Sequence, residues 1–115
     1  MTFNVAHESW GPGRHSLSLS GRLDSTTRAQ FEPQATELAS QDGVFLVLDC
    51  ANLDYVASAG LRVFLMAAKR VQQHDGRMVV SGLQPSVREV FEISGFLKIL
   101  TVVDDAAAAR ALADV

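Results

Sequence analysis

The chain has 115 residues, of which 48% are hydrophobic and 20% are charged, and this balance predicts one compact globular domain over residues 1–115 rather than a disordered segment. The 10 basic and 13 acidic residues leave a formal charge of −3, which excludes binding to nucleic acid or to an anionic membrane surface through bulk charge. Cys50 is the only cysteine, so no intrachain disulfide can form. Because Cys50 follows the apolar run at 44–48, a buried and unreactive thiol is expected. No apolar run approaches the roughly 18 residues of a membrane span, and a cytoplasmic protein is expected.

The N-terminal region carries the pattern of a β-hairpin. Apolar and polar residues alternate over 3–8 and again over 15–20, as they do in half-buried strands. Between them, residues 11–13 read GPG, which is a turn signal. His15 lies on the apolar face of the second strand, and a buried imidazole is expected there.

A helix is predicted over 26–40, because its apolar residues recur on one face. Asp24 or Ser25 is the expected N-cap, since short polar side chains accept hydrogen bonds from the first-turn amides. Pro33 falls inside this pattern and removes one hydrogen bond. A kink or a later helix start is therefore expected.

In the middle of the chain, residues 44–48 are apolar at every position. Such a run predicts a strand that is buried on both faces of a sheet. Residues 49–54 are expected to form a short connection. A helix is then predicted from Ser58 to about His74. Its expected core stripe comprises Leu61, Phe64, Leu65, Ala68 and Val71.

The C-terminal third completes an alternating pattern. A strand is predicted at 78–80, a helix from Pro85 to a C-cap at Gly95, a strand at 99–103 and a closing helix at 106–113. The order ββαβαβαβα implies crossover connections. The predicted class is α/β, with a mixed and partly parallel sheet, an N-terminal β-hairpin and about four helices.

Several chemical motifs are missing from the sequence. It contains neither GxGxxG nor GxxxxGK[ST], its three histidines lack the spacing of a zinc site, and Ser58 has no GxSxG frame. Asp24, Asp49 and Asp54 are expected as caps and loop formers. The sequence therefore predicts no cofactor, no metal ion and no catalytic residue.

Residues 55–61 read YVASAGL and place Ser58 where a helix should begin. On spacing alone Ser58 is an N-cap, worth about 1 kcal/mol over alanine. The same geometry would also accept a phosphate, because a helix N-terminus offers free N–H groups and positive potential. Arg62 lies one turn further on and could pair with that phosphate. Both interpretations stay open at this point.

The segment at 55–61 resembles the signature of the STAS domain, the fold of bacterial anti-sigma factor antagonists, which runs roughly aromatic-hydrophobic-Asp-Ser-Ser-Gly-Leu. Residues 21–24, GRLD, resemble the family's Gly-x-Leu/Val-Asp, and 83–87 followed by 91–96 resemble its third-helix segment. The resemblance covers nearly the whole chain in the right order. Two positions depart from it.

The family's aspartate is Ala57 in this chain, and the second serine, the usual phosphoacceptor of the best-known members, is Ala59. Ser58 is the acceptor that remains, one position earlier. The resemblance therefore leaves two possibilities: the phosphate shifts to Ser58, or this member is not phosphorylated.

The resemblance implies a partner-switching protein without catalytic activity. The unphosphorylated antagonist binds an anti-sigma factor that is also a serine kinase of the GHKL type, phosphorylation on Ser58 releases it, and a serine phosphatase restores binding. The implied partner interface comprises Asp24, Ala57, Ala59, Gly60, Arg62, Met66 and Lys69.

Three alternatives remain open from the sequence. One is a STAS subunit that docks on the ATPase of an ABC transporter and is never phosphorylated. Another is a ligand-sensing or nucleotide-binding module, although the sequence contains no phosphate-binding loop to support it. The last is a small hydrolase that uses Ser58, for which the sequence offers no plausible histidine partner.

Overall fold

The computed structural model describes residues 2–115 and contains five strands and four α-helices within them. In chain order these are β1 Phe3–Gly11, β2 Arg14–Leu23, α1 Arg28–Ala39, β3 Phe45–Val56, α2 Ser58–Gln73, β4 Arg77–Ser81, α3 Pro85–Ile93, β5 Thr101–Val103 and α4 Ala106–Ala111. Short 3-10 helices follow α3 at Phe96–Lys98 and α4 at Leu112–Asp114. The predicted order of elements is confirmed.

The five strands form one mixed sheet in the spatial order β1-β2-β3-β4-β5. β1 and β2 pair antiparallel as the predicted hairpin, and the remaining neighbours pair parallel. Parallel pairing brings the C-terminal ends of β2, β3 and β4 to the same edge of the sheet. Within residues 2–115 no helix has both the length and the hydropathy needed to cross a membrane.

β3 is buried on both faces, as its consecutive apolar residues predict. Leu46 and Leu48 belong to the main core, which α1, α2 and α3 cover. Phe45 and Val47 belong to a smaller core on the opposite face, which Ala109 of α4 covers. Side chains alternate between the faces of a strand, so a strand between two helical layers needs apolar residues at every position.

Three phenyl rings hold α2 between its two neighbouring helices. Phe31 of α1, Phe64 of α2 and Phe91 of α3 are each fully buried. The ring centroids of Phe31 and Phe64 are 5.5 Å apart, and those of Phe64 and Phe91 are 5.2 Å apart with the rings at 90°. Edge-to-face and tilted contacts at this distance stabilise beyond the burial of area. α2 is thus fixed from both sides.

The connection expected at 49–54 is wrong, because β3 continues as a strand to Val56. Asn52 pairs with Ser20 and Tyr55 with Arg22, with register shifts along the ladder. The polar residues of this stretch have low strand propensity, but the second half of β2 lies alongside and pairs with it. Because β3 extends to Val56, the start of α2 lies next to the end of β2.

The helix ends differ from expectation by a few residues. α1 begins at Arg28 rather than at 26 and continues through Pro33 to Ala39, so the proline does not set its start. Gly95 has a φ of 77° just after α3 and provides the expected left-handed termination. β5 begins only at Thr101, since a 3-10 turn occupies the preceding residues.

Two expectations about burial are wrong. In α2 Leu61, Phe64 and Val71 are buried as predicted, but Val63 and Ala67 join them in the core, while Leu65 and Ala68 are only half-buried. His15 is not a core residue, because its half-buried ring lies against the ring of exposed His7 near the hairpin end. Cys50 is fully buried as predicted, and burial raises the pKa of its thiol.

Candidate functional site

The candidate site lies at the C-terminal edge of the sheet, where β2 and β3 end side by side. Leu23 and Val56 form the last pair of the β2–β3 ladder. The Ala57 N–H extends this contact by donating to the Leu23 carbonyl at 2.9 Å. Asp24 follows Leu23 and Ser58 follows Ala57, so the loop that begins at Asp24 and the first residue of α2 are held side by side.

Ala57 is the N-cap of α2, and the N-cap role expected for Ser58 is wrong. Ala57 has extended backbone angles, φ −100° and ψ 171°, and its carbonyl accepts the amides of Gly60 and Leu61 at 2.9 and 3.1 Å. No side chain caps this helix. Ser58 is the first helical residue and is exposed. The amides of Ser58 and Ala59 precede the two bonded amides and lack acceptors within the helix, so the hydroxyl stands beside free N–H groups.

Asp24 organises the neighbouring loop. Its Oδ1 accepts the amides of Thr26 and Thr27 at 2.9 and 3.1 Å, and its own amide donates to Thr27 Oγ1 at 2.9 Å. The N-cap of α1 is Thr27, so the N-cap expected at Asp24 or Ser25 is wrong. Asp24 instead holds the turn that precedes the helix. Hydrogen bonds from the backbone of Thr27 and Thr26 lower the pKa of Asp24.

Gly60 lets the first turn of α2 approach β2. It is buried, and a Cβ built on it would lie 2.6 Å from Leu23 Cγ and 3.1 Å from Val56 Cγ2. At the first distance the leucine would have to shift, and the second is a tight contact. Gly60 was predicted at the partner interface, but it presents little surface there and shapes the site through close packing. Ala57 and Ala59, which are half-buried, leave the turn with only small side chains.

The outer side of α2 carries cations. Arg62 and Lys69 are exposed as predicted, and Arg70 is half-buried beside them. None of the three lies within 4.0 Å of a carboxylate oxygen belonging to residues 2–115. These side chains line a shallow groove along the helix with Leu65, Met66 and Gln73. A partner that docks along α2 therefore meets a positive surface.

Met66 was expected to be exposed and is instead half-buried between α1 and α2. The Thr36 hydroxyl lies 3.7 Å from its sulfur. An unbranched thioether fills irregular gaps of this kind. Met66 thus lies partly beneath the basic surface rather than on it.

Arg22 and Tyr55 form a contact that the sequence did not reveal. The Arg22 guanidinium carbon lies 4.0 Å from the centroid of the Tyr55 ring, and the tyrosine is 40% exposed. The two residues are paired across β2 and β3, so only recognition of 49–56 as strand could have found them. The contact lies one residue before Leu23 and Val56 and stiffens the base of both loops.

Asp49 and Asp54 were expected as caps or loop formers, and this is wrong, because both lie within strand β3. Asp49 Oδ1 accepts the amide of Ala51 at 3.1 Å, and Asp54 Oδ1 lies 3.5 Å from the Gln84 side-chain nitrogen. Within residues 2–115 no three side chains of histidine, cysteine, aspartate or glutamate gather as metal ligands do.

A mixed sheet with an N-terminal hairpin defines an α/β fold, in which a lone hydroxyl lies on the helix that follows the central strand. The family model of the STAS domain matches residues 12–109. The chain belongs to the STAS domain family. The resemblance found in the sequence is confirmed.

Similar proteins extend this assignment. The chain is 44% identical over 93 residues to BtrV of Bordetella bronchiseptica, named provisionally as an anti-sigma factor antagonist, with 81% of this chain and 80% of the relative covered. It is 33% identical over 90 residues to the anti-sigma F factor antagonist of Paenibacillus polymyxa, with 77% of each covered.

Among solved structures, unphosphorylated SpoIIAA, an anti-sigma factor antagonist, superposes with a TM-score of 0.81 at 19% identity over 97% of this chain and 98% of SpoIIAA. The phosphorylated form of SpoIIAA gives 0.74 at 19% identity, over 95% of this chain and 99% of that one. At this identity the likeness concerns the fold, and it confirms the predicted STAS-like sheet.

Proposed function

We propose that this protein is an anti-sigma factor antagonist that works by binding in the cytoplasm and is controlled by phosphorylation of Ser58. The single observation that carries the proposal is an exposed serine at the first helical position, beside a neighbouring loop that Asp24 holds in shape. The names of BtrV and of the Paenibacillus polymyxa relative support the antagonist role.

The unphosphorylated site offers a partner a flat surface. Ala57 and Ala59 have small side chains, so a partner can approach the backbone of the turn closely. Arg62 and Lys69 extend the surface along α2 and would attract carboxylates of that partner. The proposed partner is an anti-sigma factor that is itself a serine kinase of the GHKL type.

The kinase step places a dianion in the centre of this surface. The Ser58 oxygen attacks the γ-phosphorus of ATP, the bond to ADP breaks, and the hydroxyl proton passes to a base of the kinase. The phosphoserine then carries about −1.5 to −2 charges at pH 7. Free amides at the helix start and the Arg62 cation can hold the phosphate without unfolding α2. Its bulk and charge oppose the close approach, and a serine phosphatase removes them.

Hydrolysis by Ser58 is disfavoured by the placement of the histidines. His74 follows the far end of α2, a helix of 16 residues that spans about 24 Å. His7 and His15 lie near the Gly11–Arg14 end of the hairpin, and Ser58 follows the opposite edge of the sheet. No imidazole of residues 2–115 is therefore positioned to activate the Ser58 hydroxyl as a nucleophile.

A mass measurement tests the phosphoacceptor. The protein is incubated with ATP and the cognate anti-sigma kinase, and intact masses are compared for wild type, Ser58→Ala and Ser86→Ala. Ser86 is a matched control, because it is also an exposed serine in the first turn of a helix. One phosphate is expected on wild type and on Ser86→Ala and none on Ser58→Ala. An equal gain on Ser58→Ala would overturn the assignment.

The transporter alternative uses the same test. A STAS subunit docked on an ABC ATPase would bind its partner and gain no mass under any of these conditions. A protein that gains no phosphate but is captured by an ATPase subunit, and not by the anti-sigma kinase, would replace the proposed function with this one.

A further inference from the structure

Two histidines converge near the hairpin end, far from the site described above. His7 Nε2 and His15 Nδ1 are 2.9 Å apart, and the ring centroids are separated by 5.1 Å. His7 lies opposite Leu17 in the antiparallel ladder and Ser9 lies opposite His15, so the two rings are diagonal neighbours on one face. The strand register therefore holds the two nitrogens together.

The spacing matches the bite of a metal site. Two nitrogens bound at about 2.0–2.1 Å lie about 2.9 Å apart when they subtend 90° at the metal, and about 3.3 Å apart in a tetrahedron. The observed 2.9 Å separates the nitrogens of a hydrogen-bonded pair and lies close to both values, and imidazole suits Cu²⁺ and Ni²⁺. We propose that His7 and His15 form a surface site for a divalent transition-metal ion, with copper bound more tightly than nickel.

Binding requires one proton and both rings to move. In the hydrogen-bonded pair the N–H of one ring points at the nitrogen of the other. Before a metal can bind between them, this proton must pass through solvent to the other nitrogen of the same ring. Both rings then turn until their lone pairs meet at the ion. His7 is exposed and His15 half-buried, which leaves room for this rotation. Each ring then offers one nitrogen lone pair to the ion.

The site is open and independent of the proposed switch. Because no third histidine, cysteine or acidic side chain of residues 2–115 joins the pair, water or another molecule fills the remaining coordination positions. The Cys50 thiol is fully buried and cannot compete for the ion. His15 pairs with Leu46, and Ser58 lies more than ten residues further along, roughly 30 Å away.

A calorimetric titration of the tag-free full chain with Ni²⁺, and then with Cu²⁺, tests the site. Wild type, His7→Ala, His15→Ala and His74→Ala are compared in a buffer that does not bind metals. His74 is the matched control, because it pairs with Asp42 at 2.8 Å and is the remaining histidine. We expect one ion per chain, unchanged affinity in His74→Ala, and a loss of at least about tenfold in each of the other two variants.

A second measurement uses the wild-type protein alone, so its result does not depend on whether the variants fold. Trace Cu²⁺ should broaden the ring NMR signals of His7 and His15 before those of His74. No binding by wild type, equal weakening in His74→Ala, or equal broadening of all three rings would overturn the proposal and leave a hydrogen-bonded pair only. Since Ser58 is not involved, these outcomes do not depend on whether it is phosphorylated.

Discussion

The amide of Ala57 donates a hydrogen bond to the carbonyl of Leu23 at 2.9 Å and thereby ties the start of α2 to the end of β2. The bond continues the parallel ladder by one residue beyond Val56. It fixes Ala57 in an extended conformation and so makes Ser58 the first helical residue. The exposure of the serine is thus a consequence of the β2–β3 pairing.

The same junction predicts the effect of a methyl group at Gly60. Gly60→Ala gains helix propensity of about 1 kcal/mol. Its Cβ would lie 2.6 Å from Leu23 Cγ, and overpacking of this kind costs about 1–3 kcal/mol. We expect a net loss of roughly 1 kcal/mol in the free energy of unfolding, measured by urea denaturation.

A double-mutant cycle provides the control for that prediction. Leu23→Ala alone should cost about 2–5 kcal/mol, because a fully buried leucine is truncated. Combined with Gly60→Ala, it removes the clashing atoms, so the double variant should be more stable than the sum of the two losses predicts. Strict additivity would contradict the packing account of Gly60.

The Asp24 carboxyl predicts a pH dependence of stability. Hydrogen bonds from the Thr27 and Thr26 amides lower its pKa in the folded protein below the ordinary value of 3.8. A depressed pKa contributes stability that is present above the unfolded value and is lost as the pH falls through the folded one. Asp24→Asn should therefore be less stable than wild type at pH 7, and the difference should shrink in the acid range below about pH 4. Urea unfolding of both proteins from neutral to acid pH measures it, and a gap that widens with acid would refute the assignment.

The ring contacts around α2 predict a large loss from one truncation. Phe64 touches both Phe31 and Phe91 and is fully buried, so Phe64→Ala should cost about 3–5 kcal/mol. Ile93→Ala is the control, because Ile93 is 80% exposed and its truncation should change stability by less than about 0.5 kcal/mol. Similar losses in both variants would show that the three phenyl rings do not hold the helices together.

The phosphorylated protein should remain folded. The charge of Arg62 lies one turn from Ser58 and can pair with the phosphate, so phosphorylation should leave the melting temperature of wild type nearly unchanged. In Arg62→Ala the phosphorylated form should melt below the unphosphorylated form. Arg88→Ala, which removes a similarly exposed helical arginine, is the control. A large drop for phosphorylated wild type would mean that the phosphate disrupts α2.

The order of elements was predictable from the sequence because local periodicity records which side chains are buried. The consecutive apolar residues of β3 showed correctly that both faces of the strand are covered. The polar continuation at 49–54 was missed, since its strand structure depends on pairing with β2, about thirty residues earlier in the chain. Propensity alone carries no information about that partner.

The local structure around Ser58 was predicted in part. The helix start and the neighbouring Asp24 loop were correct, but the cap fell on Ala57, because the tie to Leu23 and not the side chain decides where helical geometry begins. Met66 and His15 were misjudged for the same kind of reason. Each lies against a residue of another element, Thr36 or His7, that helical or strand periodicity does not reveal.

The most direct test of the central claim is the affinity of the cognate anti-sigma kinase for the two forms of this protein. The unphosphorylated protein and the protein phosphorylated on Ser58 are titrated into the kinase in the same calorimeter. Unphosphorylated protein should bind, and phosphorylation should weaken binding by at least about tenfold, because the bulk and charge of the phosphate oppose the close approach of the partner. Equal affinity of the two forms would contradict the account, because Ser58 would then not control the interaction.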